Sequence, residues 1–377
     1  MSYEQWRADA REHAEDVAGK VRGKLDVALR CAEGLDYIPY TVRDGRWQPG
    51  PFDGICWWTN GFWPGLMWAA HRLTGEKRYA AEAARAEAML DDAFRDFEHL
   101  HHDVGFMWLI SSGAHYRMTG DDMSRRRTLL AADLLAARYN PAGFIRAWNG
   151  DNAGWAIIDC MMNLNLLYWA SAETGDPRFR NIAMAHADTA MSCFIRPDGS
   201  SDHIVIFDPE TGAPLDRPAG QGYAPGSMWT RGQAWALYGF GLSFAHTGKE
   251  AYLDTAKRVA DRFIAELGGD PVPPCDFRQP ADAGLKDACA GAIAACGLME
   301  LSRLTGERRY FDAGLGLHRA LAERCADWSD ASPAMLTHCT EAYHSGGHHI
   351  AMVYADFFFV EALLKLMGDG FSFWGVE

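Results

Sequence analysis

Four short clusters concentrate the side chains that can do chemistry: Trp57-Trp-Thr-Asn-Gly-Phe-Trp63, His101-His-Asp-Val-Gly-Phe106, Trp148-Asn-Gly-Asp-Asn152 and Trp229-Thr-Arg-Gly-Gln-Ala-Trp235. Each mixes aromatic rings with Asp, Asn, Gln or His. A sugar presents apolar C–H faces that rings can stack on and hydroxyls that amides, carboxylates and imidazoles can bond, so this mixture points to carbohydrate. The competing reading is ordinary packing of Trp-rich turns. Arg231 is flanked by Trp229 and Trp235 and has no acidic residue within four positions. A guanidinium so placed suits a planar carboxylate, the alternative being an Arg stacked on Trp and paired with a distant Asp. Asp103 and Asp159 are the candidate acid and base. Asp159 lies among Ile157, Ile158, Cys160 and Met161, and burial raises a carboxyl's affinity for its proton. Against this stands a structural carboxylate, paired to Arg or capping a helix.

Other chemistries find less support. His338, His344, His348 and His349 surround Gly346-Gly347 and lie on no H-x-x-x-H or H-E-x-x-H helix, so no metal is expected. There is no phosphate-binding G-x-x-x-x-G-K-S/T, no G-x-G-x-x-G after a strand and no G-x-S-x-G elbow, and no cofactor is expected.

These clusters sit where helices would end. A turn recurs at Thr74-Gly, Thr174-Gly, Thr247-Gly and Thr305-Gly, with a weaker copy at Thr119-Gly, each preceded by an apolar helical run. Gly75, Gly175, Gly248 and Gly306 read as helix-ending glycines, and Tyr79, Phe179, Tyr252 and Tyr310, four residues on, as anchors of the next helix. Intervals of 45 to 73 residues between turns are too uneven for a solenoid and wide enough for a helical hairpin with a variable loop. With an opening helix near residues 4 to 33, about six hairpins result, in a closed ring. Residues 80–91 and 252–267 space their apolar positions three and four apart, as outer helices would, whereas 157–170 is apolar nearly all round, as an inner helix would be. Asp159 and Asn163 would share a face of that helix. Residues 34–64 and 196–230 are too aromatic for linkers, and 201–209 contains a short strand-like run. One domain over 1–377 is expected.

Composition sets the outer limits. A chain of 377 residues that is 48% hydrophobic can bury a large core, and 14 Trp, 19 Phe and 13 Tyr exclude disorder. A formal net charge of −14 makes nucleic acid and anionic membranes poor partners. No segment has the apolar length of a membrane span or the pattern of a secretory signal, so a soluble, cytoplasmic protein is expected. Nine cysteines without C-x-x-C spacing read as buried thiols rather than disulfides or a zinc knuckle. Oligomeric state is open.

The motifs HHDVGF (101–106), AW (147–148), IIDCMMNL (157–164), TGDPRFR (174–180), FDPETG (207–212), SMWTRGQAWALYGF (227–240) and DFFFVEALLKL (356–366) together resemble the unsaturated glucuronyl hydrolases, glycoside hydrolase family 88, from about residue 50 to the C-terminus. The resemblance implies an all-α (α/α)6 barrel, in agreement with the hairpin count. It also implies removal of the 4,5-unsaturated uronic acid that polysaccharide lyases leave at the non-reducing end of oligosaccharides. By resemblance Asp159 is the general acid and base and Asp103 its partner carboxylate. Trp58, His102, Trp148, His203, Gln221, Trp229, Arg231 and Trp235 carry over as substrate contacts. The chain departs from the family pattern at Asn60, where an acidic residue is common, and at Val353-Tyr-Ala-Asp356, where W-G-D is common. The His-rich loop before it is expected near the leaving sugar. Two other activities fit the same residues: a sugar epimerase or isomerase using His101/His102 and His348/His349, and a non-catalytic glycan-binding protein that would need no Asp159.

Overall fold

Each Thr-Gly turn reverses the chain between a helix buried on every side and a helix apolar on one face only. In a computed structural model of the protein, which describes residues 2–52 and 54–376, the five turn glycines have φ between +67° and +79°, a left-handed conformation that costs glycine little. The threonine before each glycine locks the reversal. Thr74, Thr119, Thr174, Thr247 and Thr305 each donate from the hydroxyl to the carbonyl four residues back and accept from the N–H two residues on. The anchors four residues past the glycines are buried: Tyr79, Tyr252 and Tyr310 at 0% exposure and Phe179 at 4%. At the weaker copy the equivalent residue is Ser124, also buried, whose hydroxyl donates to Glu87.

After a short leading helix, Tyr3–Asp9, the barrel helices are α1 (Arg11–Ala32), α2 (Phe62–Thr74), α3 (Lys77–Arg95), α4, α5 (Asp122–Ala137), α6 (Cys160–Thr174), α7 (Pro177–Cys193), α8 (Thr230–Thr247), α9 (Glu250–Leu267), α10 (Ala288–Thr305), α11 (Arg308–Arg324) and α12 (Val353–Met367). Helix α4 is broken into Val104–Trp108 and Ala114–Thr119 by a π-helical turn over Leu109–Gly113. Helices α2, α4, α6, α8, α10 and α12 pack side by side into an inner ring, and α3, α5, α7, α9, α11 and α1 form the outer ring. This is an (α/α)6 barrel. The sixth hairpin is made by the two ends of the chain, α12 against α1. Burial follows the hydrophobic pattern. The first eleven residues of α6 are all buried, whereas α9 buries only Tyr252, Thr255, Ala256, Val259, Ala260 and Phe263.

The segment after α12 stoppers one end of the inner ring. Trp374 is fully buried, its indole N–H donates to Glu361 at 3.0 Å, and its carbonyl meets His246 Nε2. Arg117 donates to the carbonyls of Ser372 and Phe373. At the opposite end, three strands, β1 (Trp155–Ile157), β2 (Ile204–Phe207) and β3 (Pro214–Asp216), form an antiparallel sheet in the order β1-β2-β3. Strand β2 occupies the run expected to be strand-like. One expectation shifts: Ile157 belongs to β1, and α6 begins at Cys160, so Asp159 caps that helix instead of lying within it.

Candidate active site

All six inner helices start at the open end of the barrel, and their first residues carry the polar groups. Asp103 is the N-cap of α4, Asp159 of α6 and Asp287 of α10, while Arg231 is the second residue of α8. Two of these helices approach unusually closely. A Cβ at Gly105 would lie 2.7 Å from both Cα and Oδ1 of Asn163, so only glycine lets α4 and α6 meet there. Asn163 then binds both sides of the contact. Its Oδ1 accepts from Phe106 N–H at 2.8 Å and its amide donates to the Asp159 carbonyl at 3.3 Å. Asn163 also draws the Asp103 carboxyl toward its ionised form. The two carboxylates are therefore neighbours because of a glycine and an asparagine one helical turn inside the barrel.

A cavity of about 240 Å³ opens over them, lined by Trp57, Trp58, His101, His102, Asp103, Trp148, Ile157, Asp159, His203, Gln221 and Arg231. Burial pushes Asp159 up to about 7 against the pull of Arg231, and pushes Asp103 up to about 8 with the help of the Asp159 charge, against Arg138 and Asn163. Two adjacent carboxyls that both resist ionisation share protons near neutral pH. Oδ1 of Asp159 is buried with no hydrogen-bond partner, although 18% of the side chain faces the cavity.

The histidines hold defined states. Ile158 N–H donates to the His203 carbonyl at 3.0 Å, extending the β1-β2 pairing and placing the imidazole beside Asp159. Gln221 N–H donates to His203 Nδ1 at 3.0 Å, which leaves the ring proton on Nε2, the atom 3.9 Å from Asp159 Oδ1. Burial pushes His203 down to about 3 and His102 well below its usual range, so both are neutral at physiological pH. His102 Nε2 lies 3.4 Å from Asp103 Oδ2.

Arg231 is not the free guanidinium that its sequence neighbours suggest. It is 2% exposed and donates to Asp287 Oδ2 at 2.6 Å, to the Thr340 and Glu341 carbonyls at 2.8 and 2.6 Å, and to Gln221 Oε1 at 3.3 Å. The distant aspartate lies 56 residues away, beyond the reach of any local spacing. Arg231 still reaches the cavity wall. Trp229 and Trp235 do not line it. Trp229 stacks behind the wall, its ring centroid 4.6 Å from the Arg231 Cζ and 4.1 Å from the His203 ring. Trp235 is at 0% exposure between Phe106 and Phe358. Trp58, His102, Trp148, His203, Gln221, Asp103 and Asp159 all line this one cavity.

The two departures from the family pattern lie off the cavity. Asn60 is 3% exposed, and its amide donates to the Gly54 and Ile55 carbonyls, a task a carboxylate could not perform. Asp356 accepts from Met335 and Leu336 N–H and holds that strand-like segment to α12. The His-rich loop approaches the rim from one side. Tyr343 N–H donates to the Gln221 carbonyl and His344 Nε2 meets the Tyr223 carbonyl at 2.7 Å, but neither His348 nor His349 reaches the wall. Trp57, His101 and Ile157 complete the wall. Each adjoins or lies near a residue that the sequence reading picks out, whereas Asp287 carries no local signal at all.

The model of Glycosyl Hydrolase Family 88 matches residues 36–243. The chain belongs to glycoside hydrolase family 88. Membership makes it an enzyme, a glycosidase. It is 37% identical over 337 residues to the unsaturated glucuronyl hydrolase of Bacillus sp. (strain GL1), covering 84% of this chain and 88% of that one. Over 371 residues it is 36% identical to the unsaturated chondroitin disaccharide hydrolase of Streptococcus pneumoniae (strain ATCC BAA-255 / R6), covering 93% and 92%. A solved UGL structure with an Asp-to-Asn substitution and dGlcA-Glc-Rha-Glc superposes with a TM-score of 0.90 at 33% identity, covering 95% of this chain and 98% of that chain.

Proposed function

We propose that this family 88 glycosidase releases a 4,5-unsaturated uronic acid from the non-reducing end of lyase-generated oligosaccharides by hydrating the C4=C5 double bond, with Asp159 as acid and base and Asp103 as its partner. The observation that carries this assignment is the neighbouring pair of proton-retaining carboxyls under an aromatic-walled cavity, one with an unpartnered buried oxygen. The double bond is an enol ether through the ring oxygen. Asp159 delivers its proton to C4, and the positive charge that develops at C5 is shared by that oxygen. Ionised Asp159 then takes a proton from water as the water oxygen bonds to C5. The resulting hemiketal opens, the C1–O bond breaks, and the remaining sugar leaves as an alcohol. The anomeric carbon is never attacked, so the two carboxyls need not flank it as in ordinary glycosidases.

The chain's charge of −14 repels an anionic substrate, and Asp287 neutralises Arg231. The converging N-termini of the inner helices supply the missing positive potential, since each carries a partial positive charge. Trp58 and Trp148 offer stacking faces, and His203 Nε2–H and the Gln221 amide offer donors. The barrel acts as one catalytic domain. Among the described residues no helix is long and apolar enough to cross a membrane, and nine cysteines outside any disulfide fit a reducing compartment such as the cytoplasm.

The test is to mix the protein with unsaturated disaccharides from chondroitin, hyaluronan, heparin, gellan and xanthan and follow the ultraviolet absorbance of the double bond. Absorbance should fall for at least one substrate and stay flat with Asp159→Asn. Unchanged absorbance with tight binding would instead mark a glycan-binding protein, and a new isomer at constant absorbance an isomerase.

A further inference from the structure

The loop that brings Trp148 to the active cavity also borders a second cavity. This outer cavity, about 380 Å³, is lined in part by Arg138, Tyr139, Asn140, Arg146 and Ala153. A hairpin frames it. Tyr139–Asn140 pairs antiparallel with Phe144–Ile145, Tyr139 opposite Ile145, and the next pair outward sets Arg138 opposite Arg146, whose N–H donates to the Arg138 carbonyl at 3.0 Å. Like charges directly opposed in an antiparallel pair repel. Among the described residues no carboxylate relieves them, because every hydrogen bond of the two guanidinium groups goes to a neutral acceptor. The chain as a whole carries −14, which makes two uncompensated cations in one cavity the more unusual. Arg138 is fully occupied: it donates to the Arg146, Leu100 and Ala147 carbonyls at 2.9, 3.0 and 2.8 Å and to Asn149 Oδ1 at 2.9 Å. Burial, and after it the charge of Arg146, pushes Arg138 down to about 10, so it stays charged at neutral pH. Arg146 is half-buried and spends one N–H, on the Gly150 carbonyl at 2.7 Å. Its Nε is buried with no hydrogen-bond partner.

We propose that the outer cavity is an oxyanion site, and that its ligand is the carboxylate of an acidic sugar lying beyond the leaving sugar of the substrate, gripped by Arg146 with Arg138 as the fixed charge behind it. This rests on the hydrolase activity proposed above and extends it to the length and charge of the substrate. A guanidinium with donors to spare, beside a second cation and no carboxylate, matches a planar carboxylate in geometry and in charge. The two cavities adjoin: Arg146 lines the outer one, Trp148, two residues on, lines the active one, and the Ala147 between them accepts from both Arg138 and the His102 N–H. The active cavity, about 240 Å³, is small for an oligosaccharide, so the leaving portion has to run out over the rim, where the Trp148 indole offers a stacking face on the way.

Three unsaturated substrates separate charge from length: the hyaluronan disaccharide, which has no second acid; the hyaluronan tetrasaccharide, which has a second uronate and no sulfate; and dGlcA-Glc-Rha-Glc, equally long with a neutral leaving portion. The measurement is kcat and KM from the loss of double-bond absorbance, with circular dichroism as the folding check. Arg146→Gln should raise KM for the hyaluronan tetrasaccharide about fivefold and leave its kcat, and both constants for the other two substrates, unchanged. Arg146→Lys should recover part of the loss, since the charge remains and the fork does not. Inorganic sulfate should raise KM for the hyaluronan tetrasaccharide alone. A KM that changes equally for all three substrates, or for none, overturns the proposal, and sulfate that inhibits all three alike replaces the distal uronate with a free anion as the ligand. Should Arg146→Gln not fold, calorimetric titration of Asp159→Asn with the two tetrasaccharides decides it. Tighter binding of the hyaluronan tetrasaccharide, lost in about 0.5 M sodium chloride, supports the site, and equal or salt-independent affinities overturn it. A parent protein inactive on all three substrates instead overturns the hydrolase activity itself, and the distal site falls with it.

Discussion

The Arg231 guanidinium donates to Asp287 Oδ2 at 2.6 Å, with the two side chains at 2% and 0% exposure. The pair joins the first turns of α8 and α10, and through the Thr340 and Glu341 carbonyls it also holds the start of the His-rich loop. Removing one partner strands the other charge in the interior. Asp287→Asn should therefore destabilise the protein by about 3 to 5 kcal/mol, read as a lower denaturant midpoint with an unchanged slope. A variant as stable as the parent would mean that Arg231 finds another anion.

Arg231→Lys replaces a fork with a point charge that cannot serve Asp287, two carbonyls and Gln221 together. It should lose about 1.5 to 3 kcal/mol of charge-assisted bonding, seen both as a lower Tm and as a lower kcat/KM. A change in KM alone, with Tm untouched, would instead indicate a direct grip on the substrate carboxylate.

The raised proton affinities of Asp103 and Asp159 carry a sign for stability. Both groups are lifted from an ordinary 3.8, to about 8 and about 7, so the folded chain binds more protons than the unfolded chain between these limits. Their contribution to stability is complete below about pH 4 and is lost as pH rises through 7 to 8. Asp103→Asn, which removes the ionisation, should raise stability at pH 8 by on the order of 5 kcal/mol and change it little at pH 4. Activity should fall over the same alkaline range as the last shared proton leaves. A thermal melt of parent and variant at the two pH values settles the sign.

Gly105 and Gly241 make a matched pair on inner helices. At Gly105 an added Cβ meets the Asn163 backbone at 2.7 Å, and at Gly241 it meets nothing within 4 Å. Gly105→Ala should cost about 1 to 3 kcal/mol and most of the activity, because the clash is with backbone that cannot swing aside and it wedges the two carboxylates apart. Gly241→Ala should instead gain roughly 0.5 to 1 kcal/mol at full activity. Equal effects at the two positions would show that the α4–α6 contact is softer than its geometry implies.

Local patterns were enough to reveal the ring. A Thr-Gly reversal with a buried aromatic four residues on, and an alternation of all-apolar with one-sided helices, depend on hydrogen bonds and burial within a few residues of each other, so Tyr79, Phe179, Tyr252 and Tyr310 could be assigned from the string alone. Asp103, Asp159 and the aromatic clusters stood out for the same reason: each has an unusual composition within its own neighbourhood. What lay beyond reach was every relation that spans the barrel. Asp287 has no distinguishing neighbours, yet it cancels the charge of Arg231. Arg138 reads as an ordinary helix-ending cation until the chain folds its guanidinium onto carbonyls from two wall segments. Trp235 carries the same motif as Trp229 and Arg231 but packs in the core, because it lies one helical turn deeper in the barrel than Arg231. Charge compensation and side-chain direction are properties of three-dimensional neighbours, and only closure of the helical ring decided who those neighbours are.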